Sequence, residues 1–233
     1  MNEKQAKTII DKTFKMIFNK ELSLNIDEFI SKFAFDIKLP RKVIDSTTGE
    51  ETWSVLMNST KFITQTNMEN YDREKGWMLK KENVRNLQDI ISIWKKINYT
   101  TTERQYDCIN VSQCDPIYTS ENAFRCTDCR KSKNIVFCDG CNICEYSICC
   151  QRSGNLGFCL RVDDSGNCTN SYNVICSKNI SNSLFIQDCS NLHECIFCSH
   201  ISHKKFCIAN MQFDEKEYFV IKKYIIDWIL KSC

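Results

Sequence analysis

Beyond Asp107 the helical period disappears from this chain, and short apolar pieces ending near a cysteine take its place. AFRC ends at Cys126, IVFC at Cys138, YSIC at Cys149, LGFC at Cys159, GNC at Cys168, NVIC at Cys176, LFI at Ile186, CIFC at Cys198 and KKFC at Cys207. Successive ends lie 8 to 12 residues apart, and Ser, Asn, Asp and Lys fill the intervals. A recurring unit of this kind signals stacked supersecondary units. A strand rises ~3.3 Å per residue, so each piece spans only ~15 Å. Two such strands make a flattened coil of about twenty residues, and about five coils stacking as parallel strands fit the stretch. The expected fold here is an all-β parallel β-helix or solenoid over residues 106–213. Cysteine behaves as a small, readily buried hydrophobe, so inward cysteines form a packing ladder. Phe137, Phe158, Ile175, Phe185, Phe197 and Phe206 occupy equivalent places in the pieces and are the expected core.

All 17 cysteines lie at or beyond Cys108, a compositional step that puts a domain boundary near residue 105. The odd count forbids complete internal pairing. The N-terminal MNEKQAKTIIDKTFKMIF has charges every few residues and does not read as a signal peptide. No stretch approaches the ~20 apolar residues of a membrane span. The expectation is a cytoplasmic protein with reduced thiols, in a host cytoplasm if the chain is phage-encoded. A formal net charge of +2 gives no global pull toward nucleic acid or an acidic membrane.

Residues 1–105 read as a small α+β domain. Ala6, Ile9, Ile10, Phe14, Ile17 and Phe18 have helical spacing over 3–20. A second helix runs from about Ile26 to Phe35, with Asn25 or Asp27 available as its cap. Glu51–Met57 and Lys61–Thr66 read as strands, and Glu82–Ile97 as a helix with Val84, Leu87, Ile90, Ile91 and Trp94 on one face. After the solenoid, residues 214–233 form a helix that caps it, since open parallel edges invite aggregation.

The segment 177–219 carries Cys195, Cys198, Ile201, Lys205, Phe206, Cys207, Ile208, Asn210, Gln212 and Phe213, a C-x-x-C-x-x-[LI] block followed by a lysine and then [YF]-C-I-x-N-x-Q-[YF]. This block resembles the closing coils of a family of cysteine-rich repeat proteins of candidate-phylum bacteria and bacteriophages. The match is good over about 170–220, looser over 125–170, and does not reach 1–105. It implies a repetitive β architecture and transfers no activity. On the phage side, it implies as partner a host macromolecular complex that a mobile element blocks or recruits.

Two C-x-x-C pairs, Cys126 with Cys129 and Cys138 with Cys141, have spacing that can supply four thiolates to one tetrahedral Zn²⁺. Cysteines three apart also arise from a repeat, and the series continues with Cys144, Cys149 and Cys150. A packing ladder without cofactor is the preferred reading, with zinc as the alternative. Cys138, Cys141 and Cys144 resemble half an iron–sulfur motif, but the fourth spacing is wrong. His200 and His203 flank Cys195 and Cys198, a conceivable Cys2His2 set, and His193 precedes them; surface turns are the preferred reading. No phosphate loop, dinucleotide loop, zincin helix or nucleophile elbow is present. Lys80, Lys81, Arg85, Lys95 and Lys96 lie about helix 82–97 near Trp77 and Trp94 and form a candidate nucleic-acid contact. Glu82 and Asp89 dilute that charge. The expected function is a non-catalytic protein-interaction scaffold, not an enzyme, whose partner is another protein or nucleoprotein complex. A zinc-stabilised nucleic-acid-binding module is the alternative.

Overall fold

The computed structural model describes residues 1–56, 61–151, 159–163, 172–175 and 178–231. Two capped helices open the chain. In α1 (Glu3–Phe18) the Asn2 side chain accepts from the Gln5 backbone N–H while the Gln5 side chain accepts from that of Asn2. Asn25 and Glu28 do the same for α2 (Ile26–Phe33). Ala6, Ile10, Phe14 and Phe18 of α1 and Phe29 and Phe33 of α2 are buried. Their spacing of four aligns each set along one helix face.

A hairpin of β1 (Arg41–Ile44) and β2 (Glu51–Ser54) follows. Parallel strands β3 (Lys61–Thr64) and β4 (Tyr99–Thr102) are joined through α3 (Gln65–Lys75) and α4 (Leu87–Ile97). The helix α3 and the strands β1 and β4 are additions to the sequence reading. Asp45 ties this region together. It accepts from the Thr47 N–H at 2.7 Å, the Thr64 N–H at 2.8 Å and the Asn67 side chain at 2.9 Å. Burial pushes its carboxyl up, but these bonds outweigh it and hold the pKa at about 2.

From Gln105 to Ile208 the chain is the expected parallel solenoid, but its coil is different. Every described parallel pair within the solenoid is offset by twelve residues, as in Ile109↔Glu121, Lys133↔Glu145 and Cys195↔Cys207. The expected ten-residue spacing and twenty-residue, two-stranded coil are therefore corrected to a twelve-residue coil of four three-residue sides. From Asp107 to Cys149 and from Asn179 to Ala209, every third residue except Pro116 has a positive φ, 45–58° or, at Gly140, 71°. These left-handed residues turn the corners. Asn and Asp tolerate that conformation best among residues with a side chain, which explains the Asn-rich intervals.

The coil's backbone hydrogen bonds account for this geometry. In each triplet the first N–H donates forward, as Thr127 to the Cys138 carbonyl at 2.9 Å. The second, left-handed residue donates backward, as Arg125 to the Ser112 carbonyl at 3.0 Å. The third residue turns its side chain into the lumen. Its N–H meets a lumenal side chain of the preceding coil where that is Ser or Cys: Ser132 N–H on Ser120 Oγ at 3.2 Å, Cys126 N–H on Cys114 Sγ at 3.3 Å, Cys195 N–H on Ser183 Oγ at 2.9 Å. Cysteine suits this lumen because it is small, apolar and carries an acceptor. Isoleucine shares only the apolarity: it is bulkier and carries no acceptor.

Two cores result. The lumen holds residues such as Cys114, Ile117, Ala123, Cys126, Ile135, Cys138, Ile186 and Leu192. Outside, an apolar stripe recurs every twelve residues at Phe124, Val136, Ile148, Leu184, Ile196 and Ile208. The helices α1 and α2 and the C-terminal α5 (Glu215–Lys231) share a core with it. The expected aromatic core is corrected accordingly. Phe137, Phe185, Phe197 and Phe206 all sit at left-handed, outward positions. Phe137 is buried against Phe29 of α2, whereas Phe197 is 45% exposed and stacks on Phe185 at 4.5 Å. Phe158 and the Ile175 side chain lie outside the described residues.

The ends are closed by side chains. Asn210 stands in for a further coil: its Oδ1 accepts the Ser199 N–H at 3.0 Å and its Nδ2 donates to the Ser199 carbonyl at 2.9 Å. Gln212 Nε2 donates to the Lys205 carbonyl at 2.7 Å as the chain reverses. At the start, buried Asp115 accepts from Arg104 Nε at 2.8 Å and from the Val55 N–H at 3.3 Å, joining the first coil to the hairpin. The helix α5, expected as a cap over the end, instead runs back along the solenoid's flank, where Lys20 pairs with Asp227 and Lys32 Nζ reaches the Ile229 carbonyl at 3.0 Å.

Candidate functional site

The lumen concentrates the chain's chemistry. Every described cysteine is a free thiol, and all but Cys108 are buried. Cys149 alone faces outward, into the core shared with the helices. Because one coil is twelve residues, Cys114, Cys126, Cys138 and Cys150 stack in one column, and Cys129 lies below Cys141 in the next. The two C-x-x-C pairs are thus neighbouring corners of successive coils.

The thiols form a continuous lattice of neighbouring sulfurs whose S–H groups donate to backbone carbonyls, Cys126 to Phe124 at 3.3 Å, Cys129 to Thr127 at 3.2 Å and Cys138 to Val136 at 3.3 Å. Cys126 has Cys114, Cys129 and Cys138 as sulfur neighbours, while Cys141 has Cys129, Cys138, Cys144 and Cys150. Cys150 extends the lattice to Cys159. Of the four residues anticipated as one metal set, the structure draws Cys138 and Cys141 together with Cys150. These three sulfurs lie within 4.8 Å of one another, and they are the group that meets this spacing among the described residues. Cys126 and Cys129 sit one coil earlier. Cys150 belonged to the cysteine series in sequence, but only the twelve-residue coil places it above Cys138.

Burial raises the thiols of Cys126, Cys129, Cys138, Cys141 and Cys150, and their sulfur neighbours then separate them. At Cys129 the hydrogen bonds from Cys126, Cys141 and the Cys141 N–H outweigh burial and bring the pKa to about 6. Cys138 is likewise drawn down despite burial, by Cys126, Cys141, Cys150 and the Cys150 N–H. Cys126 and Cys150 are pushed up by burial first, and Cys141 by its four thiol neighbours. A second, smaller group repeats the pattern: Cys198 falls to about 6 through Cys195.

The histidines do not join the cysteines. His193 Nδ1 bonds Ser181 Oγ at 2.8 Å, His203 Nε2 bonds Asn191 at 3.1 Å, and His200 lies 3.7 Å from Asp188. All three face outward while Cys195 and Cys198 face inward, so no Cys2His2 set is assembled among them. Lys80, Lys81, Arg85, Lys95 and Lys96 are all exposed, and Lys96 Nζ pairs with Glu82 at 2.8 Å.

Helix α4 is a feature whose importance the sequence reading understated. It has no buried residue, and Leu87, Ile90 and Trp94 are 68%, 51% and 52% exposed. Its apolar face, read in the sequence as one side of an amphipathic helix, stands open. Among the described residues no helix is long and apolar enough to cross a membrane.

No family model matches the chain, and no similar curated protein or solved structure is found.

The sulfur acceptors yield a test of why the lumen is cysteine. Cys138→Ser keeps an acceptor for the Cys150 N–H, as Ser120 and Ser132 do for theirs. Cys138→Val fits by volume but strands that N–H, at about 1–3 kcal/mol. The valine variant is therefore expected to unfold at lower denaturant than the serine variant, against the order of hydrophobicity. The reverse order in a urea titration would refute the acceptor role.

Proposed function

We propose that this protein is a non-catalytic interaction scaffold in which the solenoid is a rigid support and α4 presents the binding face to another protein. The observation that carries this reading is the open face of α4: Leu87, Ile90 and Trp94 follow helical spacing, and none is covered. A surface helix ordinarily buries such a stripe, and exposed aromatic and aliphatic anchors are the usual energetic centre of an interface. The opposed facing of thiols and histidines supports a non-catalytic role, because a Cys–His nucleophile needs both within hydrogen-bond reach. If the resemblance to phage repeat proteins reflects origin, the partner is a host complex.

The alternative, a nucleic-acid-binding module, draws on the five exposed cations about α4. One comparison separates the two. Leu87→Asp and Trp94→Asp, checked for native circular dichroism, are expected to abolish retention of a defined protein partner that the wild type retains. Lys80→Ala/Lys81→Ala is expected to leave it intact. Salt-sensitive oligonucleotide binding lost in the lysine variant, with partner retention unchanged in the α4 variants, would overturn the scaffold reading in favour of nucleic acid.

A further inference from the structure

We infer that the lumen contains a three-sulfur site for a soft monovalent d¹⁰ ion, copper(I), formed by Cys138, Cys141 and Cys150. The three sulfurs are fully buried and lie within 4.8 Å of one another. Sulfurs about 2.3 Å from a metal in a trigonal plane stand about 4.0 Å apart, so modest side-chain rotation closes the site.

The donor set selects the ion. All three ligand atoms are sulfur, and soft thiolates favour Cu(I). Structural zinc takes four ligands in a tetrahedron, and no fourth sulfur lies within 4.8 Å of all three among the described residues. The site is also placed on rigid backbone. Each ligand is the lumenal residue of a triplet whose other two N–H groups are tied to adjacent coils, as at Asp139 and Gly140 before Cys141. The supporting contacts are those a bound thiolate needs. Cys138 accepts the Cys150 N–H, and the thiols of Cys126, Cys144 and Cys159 touch the group.

Binding exchanges thiol protons for Cu⁺ with no change of oxidation state, and the protons leave to solvent. Gly140, the outward residue beside Cys141, has no side chain and lines a groove of about 840 Å³ with Asp128, Asp139 and Asn142.

The test adds Cu(I), as its acetonitrile complex, to the reduced full chain without oxygen. Copper retained after desalting is measured together with the near-ultraviolet thiolate-to-copper absorption. One Cu(I) held at this site is expected. Cys138→Ser, Cys141→Ser and Cys150→Ser should each weaken it by more than about tenfold in competition with a copper(I) chelator, since loss of even a supporting group costs 10–100-fold. Cys195→Ser, in a distant coil, should not. X-ray absorption of the wild-type copper form is expected to show three sulfur neighbours, a readout that stands even if a serine variant fails to fold. The proposal is overturned if the wild type retains no copper, if Cys195→Ser weakens it as much as the triad variants, if copper has two sulfur neighbours, or if Zn²⁺ added alone binds more tightly.

Discussion

Phe137→Ala is expected to lower the stability of this protein by about 3–5 kcal/mol, the range for a fully buried aromatic truncated to alanine. Phe137 has no exposed surface, and its ring meets Phe29 of α2 at 6.1 Å and Phe124 of the outer stripe at 6.0 Å. Its removal opens a cavity at the junction of helices and solenoid, where neither side can collapse without breaking its own backbone bonds. Phe197→Ala is expected to cost only about 1 kcal/mol, mainly its stacking on Phe185, because nearly half of its surface is already in water. Urea unfolding of both variants decides the point. Equal losses would mean that outward aromatics are energetically alike and that the helices do not create a second core.

The second large effect is at Lys222. Its Nζ lies 2.6 Å from Glu194 Oε2 and 3.2 Å from the Asn182 carbonyl, and both side chains are mostly covered. One side chain of α5 thus ties two successive coils to the helix. Lys222→Ala strands the Glu194 carboxylate beneath α5 and is expected to cost about 2–3 kcal/mol, below the full 3–5 kcal/mol of a wholly buried pair. The double variant Lys222→Met/Glu194→Met should recover most of that loss, since removing both charges also removes their desolvation cost. A double variant no more stable than Lys222→Ala would show that α5 packing, not the charge pair, carries the effect.

The parallel solenoid and the helices at each end were legible because apolar spacing is a local signal. The coil length was not, for a specific reason. Reading apolar pieces by their last cysteine mixed the outward Cys149 with lumenal cysteines, and so blurred the interval. Of the 17 cysteines, 14 occupy positions divisible by three, and only Cys149, Cys176 and Cys233 do not. That phase was present in the sequence and shows which thiols face inward. The outward phenylalanines misled because hydrophobicity was equated with the solenoid interior, whereas the helices supply another interior. The partnership of Cys150 with Cys138 could be seen only once the twelve-residue coil was known. The open face of α4 could not be seen at all, since an amphipathic pattern does not say what covers it.

A coil of four equal sides also restricts how such a chain can change in length. Losing three residues keeps the cysteine phase but turns everything downstream by one side, carrying Leu184, Ile196 and Ile208 away from the flank that α1, α2 and α5 share. Losing twelve preserves both the phase and the face, and shortens the rod by one strand spacing, about 4.8 Å. The two ends of the rod can therefore be spaced only in whole-coil increments. Because α5 folds back to Lys20 and Lys32, each increment must also be absorbed along that helix. The molecule is in this respect a stepped gauge whose clasp is cut to one setting.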